Sequence, residues 1–245
     1  MSDLRIALVA EGPTDKIAIE AFLSAITEKS FILTPLQPET LNAFGGFGQS
    51  GSGWCGVARW CRSKATAGFG SFETDPTMRM FDLLIIHIDG DVADKQYADC
   101  GSNFPGAGLP LNLEPAMVTQ RVEMLEKIVC EWLAIREPGA RTVFCIPHLS
   151  MEAWVVASLF NGKDEFGDRL ESEPNLDRWL ARRPLQIRMG KNRSEYAKKS
   201  LQFTQGWHDA VRICTQAARF NRDVQNCLHL FEMPTTSSRC PSTPL

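Results

Sequence analysis

No apolar run in this chain of 245 residues is longer than about one β-strand, which leaves nothing to cross a bilayer as a helix. The cysteines never fall as a CxxC pair. The spacing of Cys55, Cys61, Cys100, Cys130, Cys145, Cys214, Cys227 and Cys240 fits no common zinc pattern. There is no GxxxxGK[ST] phosphate loop and no GxGxxG following a strand, which excludes nucleotide binding by those devices. No segment repeats. The opening residues, Met1-Ser-Asp-Leu-Arg, run straight into a strand without a secretory leader, so a cytoplasmic location is expected. Reduced, mostly buried thiols are the matching expectation for the cysteines.

What is present is ordinary for a globular protein. Hydrophobic residues make up 44% and charged residues 22%, in a chain long enough to bury a substantial core. The net charge is −3, but its distribution is uneven. Residues 176–222 hold 11 Lys and Arg against 3 Asp and Glu, a net of +8, while the remainder holds 15 against 26, a net of −11. A basic part beside an acidic part suits a protein that grips phosphates with one and holds metal with the other, although a solvated basic face accounts for the charges equally well.

Residues 4–10 read as a buried first strand. Glu11-Gly-Pro-Thr-Asp15 then turns into a helix reaching about Lys29, with Thr14 as a possible cap and Asp15 suited to its positive end. A short strand is expected over 31–34, stopped by Pro35. The Gly-rich stretch Gly45–Gly53 reads as a mobile loop, with a short helix after it over 54–64. Residues 82–88 form the clearest strand, nearly all apolar as a central parallel strand must be. Residues 94–113 read as loop, and Glu114 to Ala134 as a long amphipathic helix. Arg141–Ile146 is a further strand, and Ser150 opens the next helix as its N-cap. Beyond about 162 the chain is helical and basic. Pro234 to Leu245 has the composition of a disordered tail.

The alternation of strand and helix predicts an α/β fold: a mostly parallel sheet with helices on both faces in three layers, plus a helical basic C-terminal region. The expected organisation is a metal-binding domain over 1–160, a helical region over 161–233 packed on it, and a tail over 234–245.

Two of the best strands end in acids. Glu11 follows the first, and Asp89-Gly-Asp91 follows the central one. In a parallel sheet both ends lie on one rim, where ligands bind. Unpaired carboxylates gathered there are costly unless a cation joins them. Hard oxygens without nearby Cys or His select Mg²⁺, or Mn²⁺. His87 reads as a packed strand histidine rather than a ligand, and His148 as a minor candidate for the rim. Trp54, Trp60, Trp132, Trp154 and Trp207 fall at helical positions and read as core.

Strand plus Glu11-Gly-x-x-Asp15, then strand plus Asp89-x-Asp91, resembles the Toprim signature. That domain is shared by topoisomerases, bacterial primases, ribonuclease-maturation enzymes and the overcoming-lysogenization-defect nucleases. Ser150-x-Glu152-x-Trp154 is similar to the Ser-x-Glu element of the nuclease branch and of small stand-alone Toprim-like proteins. Lys191, Tyr196 and the Cys214 to Phe220 helix are a fainter echo of the latter. The resemblance covers about residues 4–160.

The resemblance implies a Mg²⁺-dependent nuclease acting on DNA more than RNA, with a part in defence against phage or mobile DNA beside a partner ATPase. It implies that Glu11 is a metal ligand or general acid/base, that Asp89 and Asp91 hold magnesium, and that Glu152 serves a second ion with Asp15 in support. It implies that Lys191 contacts the scissile phosphate. Two alternatives stay open. One is a phosphatase or phosphotransferase with Asp89 as nucleophile. The other is a non-catalytic nucleic-acid-binding or regulatory subunit.

Overall fold

The computed structural model describes residues 3–41, 46–47, 50–101, 104, 106, 108–111, 118–160 and 165–230. The expected start of the long helix at 114–117, the 234–245 tail and part of the 94–113 loop lie outside these residues.

Four strands, β1 (Leu4–Val9), β2 (Phe31–Gln37), β5 (Leu83–His87) and β6 (Thr142–Cys145), form one sheet in the order β2-β1-β5-β6. All three pairings are parallel. The fold is therefore α/β with an all-parallel sheet. A small antiparallel ribbon joins β3 (Thr40–Leu41) to β4 (Gly46–Phe47). The Gly-rich segment is thus not all loop: Gly46-Phe47 is paired, and Gly53 begins helix α2 (Gly53–Thr66).

Side chains alternate across the central strands, as the pleat requires. Ile6, Leu8, Leu83 and Ile85 enter one core with α1 (Pro13–Ile26), α4 (Glu152–Phe160), α6 (Arg193–Ile213) and α7 (Thr215–Leu230). Ala7, Val9, Leu84 and Ile86 enter the other with α2 and α3 (Val118–Leu133). Both faces of β1 and β5 are covered, which is why those strands read as continuous apolar runs. A short helix, α5 (Leu176–Ala181), precedes α6. Among the described residues, no helix is long and apolar enough to cross a membrane.

Several local expectations are corrected. β2 does not stop at Pro35 but continues to Gln37, with a register shift opposite Leu8/Val9. It is an edge strand, where a missing N–H costs no ladder bond. The cap of α1 is Gly12, not Thr14, because Pro13 already occupies the first helical position. That helix ends at Ile26, before Lys29. The expected loop over 94–113 contains one 3₁₀ turn, Tyr97–Cys100, and another, Gly90–Asp94, leads into it.

The thiol expectation holds for five cysteines, Cys61, Cys130, Cys145, Cys214 and Cys227, which are buried and form no disulfide. It fails for Cys55 and Cys100, which are joined. Packing of α2 against the 3₁₀ turn after β5 brings their Cα atoms to 5.4 Å, within disulfide reach. Nothing in their 45-residue separation reveals this. The aromatic expectation holds for Trp54, Trp132, Trp154 and Trp207, which are buried, while Trp60 is only partly covered.

Candidate metal centre

The carboxyl ends of β1 and β5 stand side by side because the strands are paired in parallel. Glu11, two residues past β1, turns its carboxylate across this rim. The Asp89 amide donates to Glu11 Oε1 at 2.8 Å. Asp89 in turn reaches toward the segment after β6, where the Met151 amide donates to Asp89 Oδ1 at 2.9 Å. The Asp91 amide donates to the Leu149 carbonyl at 2.9 Å. The turns following β5 and β6 are thus laced together.

Gly90 is required by this lacing. A Cβ there would run into the carbonyl oxygens of His148 and Pro147. Close approach of two backbones, rather than an unusual turn angle, explains the glycine between the two aspartates.

Asp15 lies buried in the first turn of α1, and Glu152 is buried in the first turn of α4. Glu152 Oε1 is held by two donors: Lys191 Nζ, from just before α6, at 2.9 Å and the Tyr196 hydroxyl, on α6, at 2.8 Å. α6 reaches it by riding close on α4, where a Cβ on Gly206 would strike the Ser158 carbonyl. Asp91 faces outward and pairs with Lys95 at 3.0 Å. The structure therefore brings Glu11, Asp15, Asp89, Glu152 and Lys191 into one electrostatic neighbourhood, with Asp91 at its outer edge.

The electrostatics of that neighbourhood are strained in one direction. Burial, then the Asp15 charge, pushes the Glu11 carboxyl up to about 8, against the Asp89 amide that lowers it. Burial raises Asp89 well above the usual carboxylate range, with Glu11, Glu152 and Asp15 adding to the rise. Asp15 is raised too, chiefly by burial. Burial opposes the Lys191 charge, but Glu152, Asp89 and Asp15 outweigh it and hold the ammonium above its ordinary value. Among the described residues, Lys191 is the cation that Glu11, Asp15, Asp89 and Glu152 share.

His87 sharpens the imbalance. Its ring is fully buried, and Nδ1 donates to the Cys145 carbonyl at 2.8 Å. A carbonyl only accepts, so the proton of a neutral ring sits on Nδ1 and Nε2 bears a lone pair. That Nε2 makes no hydrogen bond among the described residues and faces Asp89 Oδ1 at 3.7 Å and Asp15 Oδ2 at 3.9 Å. It packs as a strand histidine, as the sequence suggests, yet it also borders the acids. His148 does not: its Nδ1 donates to the Glu171 carbonyl, and the charges around it are those of Arg121, Glu171 and Asp94.

These residues fit a hard divalent cation in donor type and in charge. Each amide bond uses one carboxylate oxygen and leaves Glu11 Oε2 and Asp89 Oδ2 without a hydrogen bond among the described residues. They do not stand as a finished cage. Among the described residues, no three His, Cys, Asp or Glu side chains are grouped closely enough to be a ready-made metal site. Glu152 is committed to Lys191 and Tyr196, and Asp91 to Lys95.

Two contacts of the site are absent from the reading of the sequence, Lys95 with Asp91 and Tyr196 with Glu152. Lys95 stands four residues after Asp91, a spacing that would have flagged the pair. Tyr196 carries no such signal toward Glu152, 44 residues away. The chain matches no protein-family profile, no curated protein and no solved structure.

Proposed function

We propose that this chain is a divalent-metal-dependent nuclease that hydrolyses phosphodiester bonds, in DNA before RNA. The observation that carries the reading is the meeting of Glu11 and Asp89 at the paired ends of β1 and β5, in a buried neighbourhood rich in carboxyl groups and poor in cations. The Toprim resemblance supports it from the same residues.

Glu11, Asp89 and Asp91 would hold Mg²⁺, or Mn²⁺ in its place, through the oxygens not engaged by amides, and Asp15 and Glu152 are the reserve for a second ion. The metal would polarise the phosphate and neutralise charge on the leaving oxygen. The chain's own residues do the rest. Lys191 carries a secure positive charge at the edge of the site and can balance charge developing on the phosphate. Tyr196 and Lys191 fix the rotamer of Glu152. If Glu11 leaves the metal to the aspartates, its carboxylate would instead serve as the base that takes a proton from attacking water.

Asp89 as a phosphorylated nucleophile finds less support. Its ionisation is suppressed and one oxygen is tied to the Met151 amide. A role in defence against phage or mobile DNA, beside a partner ATPase, follows from the resemblance alone. Copurification with an ATPase would support it, and full activity of the lone chain would count against the need for one.

The test is cleavage of supercoiled plasmid and of a structured RNA with Mg²⁺, Mn²⁺ or EDTA. Wild type should cut plasmid with metal only, and Glu11→Ala and Asp89→Ala should each abolish cutting while remaining folded. Cutting in EDTA, or undiminished cutting by both variants, would overturn the reading.

A further inference from the structure

The segment between α5 and α6 is built in an unusual way for a surface connection. Arg182, Arg183, Arg188 and Lys191 lie between the helices, Arg178 stands on α5 and Arg193 opens α6, and residues 178–194 contain no Asp or Glu. Two apolar side chains stand out among these cations: Leu185 is 76% exposed and Ile187 is 40% exposed. Water is a poor environment for both, and neither belongs to a hydrophobic core among the described residues.

The segment is nevertheless anchored. The amides of Ile187 and Arg188 both donate to the Pro184 carbonyl, at 2.9 and 2.8 Å, closing a tight turn that presents Leu185 at its tip. Met189 is buried and its amide donates to the Leu180 carbonyl at 3.2 Å, which plugs the strap into the core. The Gly190 amide donates to Glu195, and Asn192 caps α6 by accepting from the Glu195 amide at 3.0 Å.

The strap also ends at the acid rim. Lys191 reaches Glu152 at 2.9 Å. Arg193 lines a cavity of about 170 Å³ together with Gly12, Pro13 and Lys16, immediately after Glu11. Arg182, Arg188 and Arg193 are exposed and form no ion pair among the described residues. Exposed cations thus recur along the strap from Arg182 to Lys191, whose ammonium meets Glu152, and to Arg193, whose cavity adjoins the turn after Glu11.

We infer that the strap 182–193 is the grip for an unpaired nucleic-acid strand, in which Arg182, Arg188 and Arg193 hold backbone phosphates while Leu185 and Ile187 pack on exposed base faces. The inference rests on the nuclease reading of the rim and names its substrate class. Smooth duplex would satisfy the arginines through its phosphates but keep its bases stacked away from the two aliphatic side chains. An unpaired strand offers phosphates and apolar base faces together. The strand then continues past Lys191 toward Glu152 and Glu11.

The test is fluorescence anisotropy with a labelled single strand and with the blunt duplex of the same sequence, both in EDTA so that no metal-dependent cutting can occur. The full chain is compared with an Arg182→Gln/Arg188→Gln/Arg193→Gln variant and a Leu185→Ser/Ile187→Ser variant. All five positions are exposed, and thermal melts verify that each variant is folded. Wild type should prefer the single strand. The arginine variant should weaken binding about tenfold or more and flatten the slope of log affinity against log salt by about 2 to 3. The Leu185/Ile187 variant should lose about tenfold on the single strand while duplex binding stays unchanged. Wild type that binds neither form, an arginine variant with full affinity and an unaltered salt slope, or equal losses of the Leu185/Ile187 variant on both forms would each overturn the inference. Because binding is read without metal, a failure of the grip is separable from a failure of the catalytic reading, which the cleavage assay judges.

Discussion

The Asp89 amide donates to the Glu11 carboxylate at 2.8 Å, joining two strand ends that lie 78 residues apart in sequence. That bond fixes the geometry of the rim and leaves one Glu11 oxygen for other use. It also places a carboxyl of suppressed acidity beside a second one. Most consequences of the proposed metal centre follow from this pair and its neighbours.

The first concerns pH. A carboxyl whose pKa is higher in the fold than in the unfolded chain holds its proton more firmly when folded. For Glu11 that stabilisation is complete below 4.5 and is lost as pH climbs through about 8. Without metal, stability should therefore fall across this interval. Glu11→Gln keeps an acceptor for the Asp89 amide but carries no charge. At the alkaline end it should be more stable than wild type by about 2 kcal/mol, a figure reduced from the full shift by the solvent that reaches Glu11. Urea melts at both ends of the interval check this, and a Glu11→Gln variant with an unchanged pH dependence would contradict it.

The second concerns Glu152. Lys191→Met leaves a buried carboxylate with only the Tyr196 hydroxyl. Loss of a partner from a buried pair costs several kcal/mol, and the 39% exposure of the Lys191 side chain reduces this to about 2 kcal/mol. Adding Glu152→Gln should recover most of that loss. A double-mutant cycle by denaturant melts measures the coupling, and strictly additive effects would show that the contact is idle.

The third concerns Gly90. Gly90→Ala forces the turn after β5 away from the backbone of Pro147 and His148. The expected cost is about 2 kcal/mol in stability, with a larger effect on metal binding because Asp89 and Asp91 flank the site. A melt and metal titration that both match wild type would contradict the close approach.

The fourth lies away from the rim. The buried Glu171 carboxylate accepts from the Thr215 amide at 2.8 Å, the Thr215 hydroxyl at 2.6 Å and the Gln216 amide at 3.0 Å. It caps α7 from 44 residues away. Glu171→Ala should destabilise the fold by about 2 kcal/mol, with the amides at the start of α7 losing protection from hydrogen exchange first. Uniform protection would argue against a cap.

Much of this architecture is legible in the sequence because its signals are local. The apolar runs of β1 and β5 follow from burial on both faces, and the acids that end them are visible beside them. Contacts that depend on chain crossings are not. Tyr196 reaches Glu152 only because α6 rides close on α4, and Cys55 meets Cys100 only because α2 packs on the turn after β5. Pro35 misleads because the rule that a proline stops a strand weakens at a sheet edge. His87 is readable as a packed strand residue, but the direction of its Nε2 toward two acids is not.

The central claim is that the rim holds a divalent cation, and a Mn²⁺ titration followed by electron paramagnetic resonance tests it without relying on activity. Wild type should bind Mn²⁺, with Mg²⁺ competing for the same place, and Asp89→Asn/Asp91→Asn should lose that binding while staying folded. Wild type that leaves Mn²⁺ free in solution, or a folded double variant that binds it as well as wild type, would contradict the account.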